Sequence, residues 1–157
     1  MLNILQHKVE KSGDSLHCLL ETGLKRKSDL VLVQEPPLFN GYAHPGFDLI
    51  WTKGRTMAAR RRDSTWTFST EDHLTQDSMG DVLVIAAGKK GGKGRKIRIA
   101  NTYSQKVGRE GRVRPAESAD WDNILTEDCV VAGDFNAHSP RWNPLCTNDA
   151  IMSGSRT

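Results

Sequence analysis

Three side chains suited to acid–base and phosphate chemistry follow one short apolar stretch of the sequence. Residues 130–132 read as a strand, and Gly133 lets the backbone turn. Asp134, Asn136 and His138 then occupy alternate positions. Because alternate residues of extended backbone share a face, a carboxylate, an amide and an imidazole would be presented together. An ordinary strand end also carries Asp and Asn, since both favour turns, so the interpretation depends on the rest of the chain.

Two other strands are also predicted to end in polar groups. The near-continuous apolar run 29–33 leads into Gln34 and Glu35, and two prolines then stop the ladder. Residues 96–103 end in Asn101 and Tyr103. Glu35 could be a solvated strand-end residue, but its direct attachment to a buried run favours a functional acid.

If these strands are neighbours, the polar groups converge on one edge of a sheet. Carboxylates on rigid strands suit Mg²⁺, with Mn²⁺ as the alternative, and such an ion keeps waters for a phosphate. Asp134 could orient or deprotonate an attacking water, while Asn136 and Tyr103 could donate to phosphate oxygens. This set of groups fits metal-assisted phosphodiester hydrolysis.

The elements that would position these groups follow from the hydrophobic pattern. Residues 2–7 alternate as a first strand, and four leucines between Leu16 and Leu24 recur at helical spacing. With the apolar run 29–33 they predict a strand–helix–strand unit with parallel strands. Further strands are predicted at 47–51, 56–60, 65–68, 81–86 and 96–103, and a helix at 115–125. The last two of those strands flank a Lys/Gly loop and predict an antiparallel hairpin.

The composition indicates one globular domain. Of 157 residues, 37% are apolar and 26% charged, which excludes a disordered chain. No apolar run approaches the roughly 20 residues that a membrane helix needs, and residues 1–5 do not resemble a signal peptide. Three widely spaced cysteines predict a reducing, intracellular compartment and neither a disulfide framework nor a zinc site.

The net charge of +3 is modest, but the basic residues are clustered. One cluster comprises Lys89, Lys90, Lys93, Arg95, Lys96 and Arg98, and a second comprises Arg60, Arg61 and Arg62. Such clusters suit a polyanion such as nucleic acid, which stays open as a partner of the surface as a whole. The Lys/Gly loop itself is interpreted as a solvated hairpin loop.

Three motifs occur in order along the chain: Gln34-Glu35-Pro36, Asn101-Thr102-Tyr103-Ser104 and Gly133-Asp134-Phe135-Asn136-Ala137-His138. Together they resemble the endonuclease/exonuclease/phosphatase superfamily. Within that superfamily, the chain is similar to the amino-terminal endonuclease domain of non-LTR (LINE-type) retrotransposon polyproteins. Two further segments are similar to the same group, Leu5-Gln6-His7 and Ser139-Pro140-Arg141-Trp142. The resemblance implies a four-layer α/β sandwich of two packed mixed sheets with outer helices.

The resemblance also implies catalytic roles. Glu35 would be the Mg²⁺ ligand, and Tyr103 would contact the scissile phosphate. Asp134 would orient or activate the water, and Asn136 would stabilise the pentavalent phosphate.

Three further positions match the family motifs. Gln34 and Asn101 would be supporting residues. His138 is not the family's catalytic histidine, and it is interpreted either as a shaping or substrate-side residue or as a packed structural one.

Two departures from the family pattern affect these expectations. The first-strand motif usually carries Asn beside the metal site, whereas this chain has Lys8, which we expect to pair with Glu35 and to lower Mg²⁺ affinity. The family's closing Ser-Asp-His motif does not occur before the last residue. We therefore expect residues 1–145 to be a partial domain, and 146–157 to be a polar tail or truncated continuation.

The leading hypothesis is a Mg²⁺-dependent endonuclease that nicks DNA for target-primed reverse transcription. Its partners would be DNA and a reverse transcriptase domain of the same longer polyprotein, and its location would be nuclear. The alternative is a degenerate or truncated relic that retains at most nucleic-acid binding. The same fold also serves phosphoinositide phosphatases and sphingomyelinases, but the basic clusters favour DNA. A generic α/β binding domain would require the three motifs to be coincidental.

Overall fold

The computed structural model describes residues 1–37, 42–51, 54–75, 81–104 and 115–136. Its elements in chain order are β1 Ile4–Lys8, α1 Gly13–Lys25, β2 Leu30–Gln34, β3 Phe47–Trp51, β4 Thr56–Arg61, β5 Trp66–Thr70, β6 Val82–Lys89, β7 Ile97–Tyr103, a 3₁₀ helix Pro115–Ser118, α2 Trp121–Ile124 and β8 Cys129–Asp134. Within these ranges, no helix combines the length and hydropathy that a membrane span requires.

The strands form two mixed sheets with matching plans. Sheet A has the strand order β1-β2-β4-β3, and sheet B has the order β5-β6-β7-β8. In each sheet one edge is a parallel pair, β1 with β2 and β7 with β8, and the other neighbours are antiparallel. The predicted parallel β1–β2 pair and the predicted β6–β7 hairpin are both confirmed.

Helix α1 forms where the sequence supplies a cap and an apolar stripe. The Ser12 hydroxyl accepts a hydrogen bond from the Ser15 backbone N–H at 3.1 Å, which starts the helix. Leu16, Leu19 and Leu20 are buried against the outer face of sheet A. Each buried leucine stabilises the fold by about 1.5–3 kcal/mol.

The two sheets pack face to face around a second apolar layer. This inner layer comprises Leu30, Leu32 and Ala58 from sheet A with Phe68, Leu83, Ile85, Ala87 and Ile99 from sheet B. A third layer, on the outer face of sheet B, joins Val82, Val84 and Ala100 to Ala116 and Ile124 of the short helices. Helix, sheet, sheet and helix are therefore four layers, and the predicted α/β sandwich is confirmed.

The helix predicted at 115–125 is wrong as one continuous element. The chain makes a 3₁₀ turn and then restarts, because the Asp120 side chain accepts from the Asn123 backbone N–H and caps α2. The indole N–H of Trp121 donates to the Ala116 carbonyl at 2.8 Å and closes the corner between the two pieces. The first strand also begins later than predicted, at Ile4. The boundary predicted at residue 145 lies outside the described residues.

Candidate functional site

The carboxyl ends of the two parallel pairs meet at one end of the sandwich. In sheet A, Lys8 lies opposite Gln34, the residue before Glu35. In sheet B, Tyr103 lies opposite Asp134. We expected these groups on one edge of a single sheet, and the structure corrects this: two strand ends come from each sheet. The convergence arises because the parallel edges of the two sheets are stacked on each other.

Four side chains make direct contact at this end. The Tyr103 hydroxyl donates to Glu35 Oε1 at 2.9 Å. Lys8 Nζ lies 3.3 Å from Glu35 Oε2 and 3.0 Å from Asp134 Oδ2. The side chains of Lys8, Glu35 and Asp134 are 29%, 17% and 22% exposed, so solvent screens these charges only in part. We call Lys8, Glu35, Tyr103 and Asp134 the strand-end cluster.

Glu35 has an unusual backbone conformation. Its φ is 49°, in the left-handed region that only glycine adopts without cost. Its N–H donates to the Arg55 carbonyl at 2.8 Å, and its own carbonyl accepts from the Lys11 N–H at 2.7 Å. These bonds hold a conformation that costs about 1 kcal/mol or more, and such strain concentrates at functional sites.

The chain leaves the extended conformation immediately after Asp134. Asn136 has φ 43°, and its backbone N–H donates to Asp134 Oδ1 at 3.1 Å. Its amide Nδ2 donates to the Ser104 carbonyl at 2.6 Å. The prediction of one extended face through Asn136 is therefore wrong, because the Asp134 side chain forms a turn with the backbone two residues on. His138 lies outside the described residues.

Gly133 is required by close packing between the parallel strands of sheet B. Its φ is 156°, and a Cβ there would collide with the carbonyl oxygen of Thr102 on β7. Glycine at this position therefore lets β8 approach β7 and brings Asp134 level with Tyr103.

Three linked amide side chains, two of them fully buried, support the strand-end cluster from below. Gln6 Nε2 donates to Gln34 Oε1, and Gln34 Nε2 donates to Asn101 Oδ1, each at 2.5 Å. Asn101 Nδ2 donates in turn to the carbonyls of Val33 at 3.1 Å and Met57 at 2.8 Å. Gln34 and Asn101 are fully buried. Their amides therefore join β2 and β4 of sheet A to β7 of sheet B beneath Glu35 and Tyr103.

Sequence reasoning missed a second ion pair beside Tyr103. Arg55 Nε lies 2.7 Å from Oδ1 of Asp81, whose side chain is fully buried. The guanidinium carbon of Arg55 also lies 5.6 Å from the centre of the Tyr103 ring, within cation–π range. Burial raises the pKa of Asp81, and the neighbouring Arg55 opposes that rise. Only the position of Asp81 directly before an apolar run could have hinted at this pair.

Protonation in the cluster follows from burial and contacts. Burial, and then the hydrogen bond to Glu35, raise the pKa of Tyr103 above its ordinary value, so the phenol stays a neutral donor at neutral pH. The contact with Asp134 is the main cause that raises the pKa of Lys8. Lys8 is therefore a permanent cation here.

The donor set does not fit a divalent cation between the two carboxylates. Mg²⁺ prefers oxygen ligands in octahedral geometry, but here an ammonium already contacts both Glu35 and Asp134. An ion placed between these carboxylates would meet the positive charge of Lys8. The described residues also contain no group of three or more His, Cys, Asp or Glu side chains arranged to hold a metal.

Most of the predicted basic clusters are paired with carboxylates. Arg60 and Arg62 both contact Asp48, at 3.4 and 2.9 Å. Other contacts in these clusters are Arg61 with Asp29 and Asp63, Arg95 with Glu127 and Asp128, and Arg98 with Glu71. The lysines of the hairpin loop, Lys89 to Lys96, are exposed. Fewer unpaired positive charges therefore remain on this surface than the sequence indicates.

Comparison with known proteins identifies the fold. No protein-family model and no curated protein matches the sequence. The solved endonuclease domain of TRAS1, a telomere-specific non-LTR retrotransposon, superposes with a TM-score of 0.66 at 17% identity, over 90% of this chain and 62% of that one. A humanized D. rerio TDP2 with 14 mutations superposes with a TM-score of 0.55 at 17% identity, over 92% and 66%. The chain thus spans less than two thirds of either structure, and it shares with both of them the α/β sandwich fold described above.

Proposed function

We propose that this chain forms part of an endonuclease that hydrolyses phosphodiester bonds in DNA. The observation that carries the proposal is the strand-end cluster, in which two carboxylates, a phenol and a cation from four strand ends share one small volume. The fold shared with a retrotransposon endonuclease domain supports it.

The chemistry is assigned to the chain's own residues. Asp134 orients a water molecule and accepts its proton as the water oxygen attacks phosphorus. The bond from phosphorus to the leaving sugar oxygen breaks, and that oxygen takes a proton from solvent. The Lys8 ammonium, which has three N–H donors, stabilises the phosphoryl oxygens, where negative charge develops in the transition state. The Tyr103 hydroxyl joins it by turning its one proton from Glu35 to a phosphoryl oxygen when the substrate binds.

Glu35 and Asn136 have supporting parts in this scheme. Glu35 accepts from Tyr103 and contacts Lys8, so it orients both donors. The Asn136 N–H holds Asp134 Oδ1, so that one carboxylate oxygen is fixed in direction. The role of Glu35 as a Mg²⁺ ligand that the resemblance implies is no part of this scheme, because Lys8 already contacts both carboxylates. A role of Asn136 on the phosphate stays a prediction.

A plasmid-nicking assay tests the proposal. The 157-residue chain should convert supercoiled plasmid to the nicked circle. Asp134→Asn should lower the nicking rate by about 100-fold or more, since a positioned general base contributes at least that factor. Asp122→Asn, at an exposed position in α2, removes the same charge away from the cluster and should leave the rate unchanged. Equal rates for Asp134→Asn and the parent chain would refute the proposal.

One observation favours a second function, DNA binding without hydrolysis. Lys8 contacts both carboxylates of the cluster and so reduces their availability as bases. In that case the exposed lysines of the hairpin loop would bind the phosphate backbone. Fluorescence anisotropy with a labelled duplex would then show salt-dependent binding, weakened by charge-removing changes at Lys89 and Lys90, with no nicked product.

The wider context is part of the same proposal. We infer DNA nicking for target-primed reverse transcription, a reverse transcriptase domain in the same longer polyprotein, and action in the nucleus. Support comes from the sequence motifs and from the fold shared with the TRAS1 domain. Fractionation of cells that express the tagged chain, with probing of the nuclear fraction, tests the location.

A further inference from the structure

Lys8 is held in the strand-end cluster by three different side chains. Its ammonium contacts the carboxylates of Glu35 and Asp134, and it also lies 5.7 Å from the centre of the Tyr103 ring. Exposed lysines usually sample many rotamers, but this one is partly buried and has partners on β7, on β8 and directly after β2. Lys8 is therefore a fixed part of the site.

The backbone positions Lys8 as firmly as its side-chain contacts do. Lys8 ends β1 opposite Gln34, and the following N–H, that of Val9, donates to the Gln34 carbonyl at 3.0 Å. The register of a parallel pair thus places the ammonium beside Glu35, the residue that follows β2. A shift by one residue would turn the lysine to the opposite face of the sheet.

The two carboxylates need a cation at this position. Glu35 and Asp134 come from different sheets, and both contact the same nitrogen atom. Without a positive charge between them, two partly buried anions would repel each other across the boundary between the sheets. An ammonium supplies one charge and three donors, whereas Mg²⁺ would need the oxygen atoms that Lys8 already contacts.

We propose that Lys8 is the built-in cation of this site and takes the place of a divalent metal ion. It joins Glu35 to Asp134 across the two sheets, and the carboxylate pair gains no measurable affinity for Mg²⁺ or Mn²⁺ while Lys8 is present. The statements about the link between the carboxylates and about metal affinity do not depend on the proposed function. The catalytic consequence of the inference, a nicking reaction that is insensitive to chelators, rests on the proposed function.

Thermal melts of the 157-residue chain with and without Mg²⁺ test the inference. The melting midpoint of the parent chain should not change with Mg²⁺. Lys8→Asn replaces the cation with a neutral side chain whose oxygen can be a metal ligand, so in chelator its melting midpoint should be lower than that of the parent. At a Mg²⁺ concentration of ~100 times Kd, the midpoint of this variant should rise by about 5–10 °C. Lys90→Asn, at an exposed loop position, removes the same charge and should behave like the parent.

Two results would overturn the inference. One is a parent chain that Mg²⁺ stabilises as strongly as it stabilises Lys8→Asn. The other is a folded Lys8→Asn variant whose midpoint does not respond to Mg²⁺. If Lys8→Asn does not fold, electron paramagnetic resonance of Mn²⁺ added to the parent chain decides the question. If the signal of free Mn²⁺ is as strong with the protein as without it, the inference is supported. If the protein binds one Mn²⁺ ion and Glu35→Gln abolishes that binding, the inference is overturned.

The same samples separate this inference from the proposed function. A chain that nicks plasmid in chelator and melts independently of Mg²⁺ upholds both. A chain with that melting behaviour but no nicking overturns the proposed function alone. Nicking that requires Mg²⁺, together with a parent midpoint that rises with Mg²⁺, overturns the inference alone.

Discussion

Replacing Asn101 with alanine should destabilise the fold far more than its small size suggests. The Asn101 amide is fully buried and makes three hydrogen bonds, one from Gln34 and two to the carbonyls of Val33 and Met57. Asn101→Ala removes all three bonds and leaves the Gln34 amide without its acceptor in the interior. The link between β2 and β7 is lost at the level of the strand-end cluster.

The magnitude follows from the number of bonds. Each buried hydrogen bond contributes a net ~1 kcal/mol, and an orphaned buried donor costs ~1–3 kcal/mol more. Asn101→Ala should therefore lower the free energy of unfolding by about 4–6 kcal/mol, a large share of the ~5–15 kcal/mol that holds a domain. With a urea dependence of ~2 kcal/mol per molar, the unfolding midpoint should fall by about 2–3 M.

Urea unfolding followed by circular dichroism measures this loss. Asn123→Ala is the matched control, because Asn123 is exposed and its side chain bonds only to Asp120 within the cap of α2. Its loss should stay below ~1 kcal/mol. A loss below ~1 kcal/mol for Asn101→Ala as well, with an unchanged urea dependence, would refute the claim that the buried amides tie the sheets together.

Three more predictions follow from contacts already described. Tyr103→Phe removes the hydrogen bond to Glu35 and should lower the free energy of unfolding by about 1–2 kcal/mol, measured by urea titration. Gly133→Ala forces a Cβ into the neighbouring strand and should cost about 3 kcal/mol or more by the same measurement. Arg98 holds the pKa of Glu71 below its ordinary value, so this pair stabilises the fold above about pH 4.3 and loses its effect as pH falls through the lowered pKa. Glu71→Gln should therefore flatten the acid side of the stability-versus-pH curve.

Each of these predictions has its own control. For Gly133→Ala it is Gly94→Ala, since a Cβ at Gly94 meets nothing within 4 Å. Similar losses for these two glycine variants would show that crowding at β7 is not the cause. For Tyr103→Phe the control is the same change in a Glu35→Gln background, where the loss should shrink. Parallel pH curves for Glu71→Gln and the parent would contradict the assignment to the Arg98 pair.

Local pattern predicted much of this fold. The parallel β1–β2 pair follows from a leucine stripe between two apolar runs, and the β6–β7 hairpin follows from two apolar runs around a Gly/Lys loop. The grouping of Glu35, Tyr103 and Asp134 was predicted because functional groups in an α/β fold gather at the carboxyl ends of the strands. The side chains do meet, and their catalytic roles stay predictions.

What the sequence did not reveal depends on distant pairings. Tyr103 and Glu35 are 68 positions apart and come from different sheets, so no local period relates them. The Arg55–Asp81 pair is hidden in the same way, because which basic residues meet carboxylates is set by how the sheets stack. The break near Asp120 was missed because a capping side chain overrode a weak helical pattern.

Each sheet is built from an uninterrupted part of the chain. Every strand of sheet A lies between Ile4 and Arg61, and every strand of sheet B lies between Trp66 and Asp134. Sheet A can therefore assemble before the strands of sheet B have left the ribosome. The strand-end cluster takes two members from each sheet and does not exist until the sheets dock. Substitutions in the cluster should therefore raise the unfolding rate and change the folding rate little. The unfolding rates of such variants then measure the interactions that form when the two sheets dock.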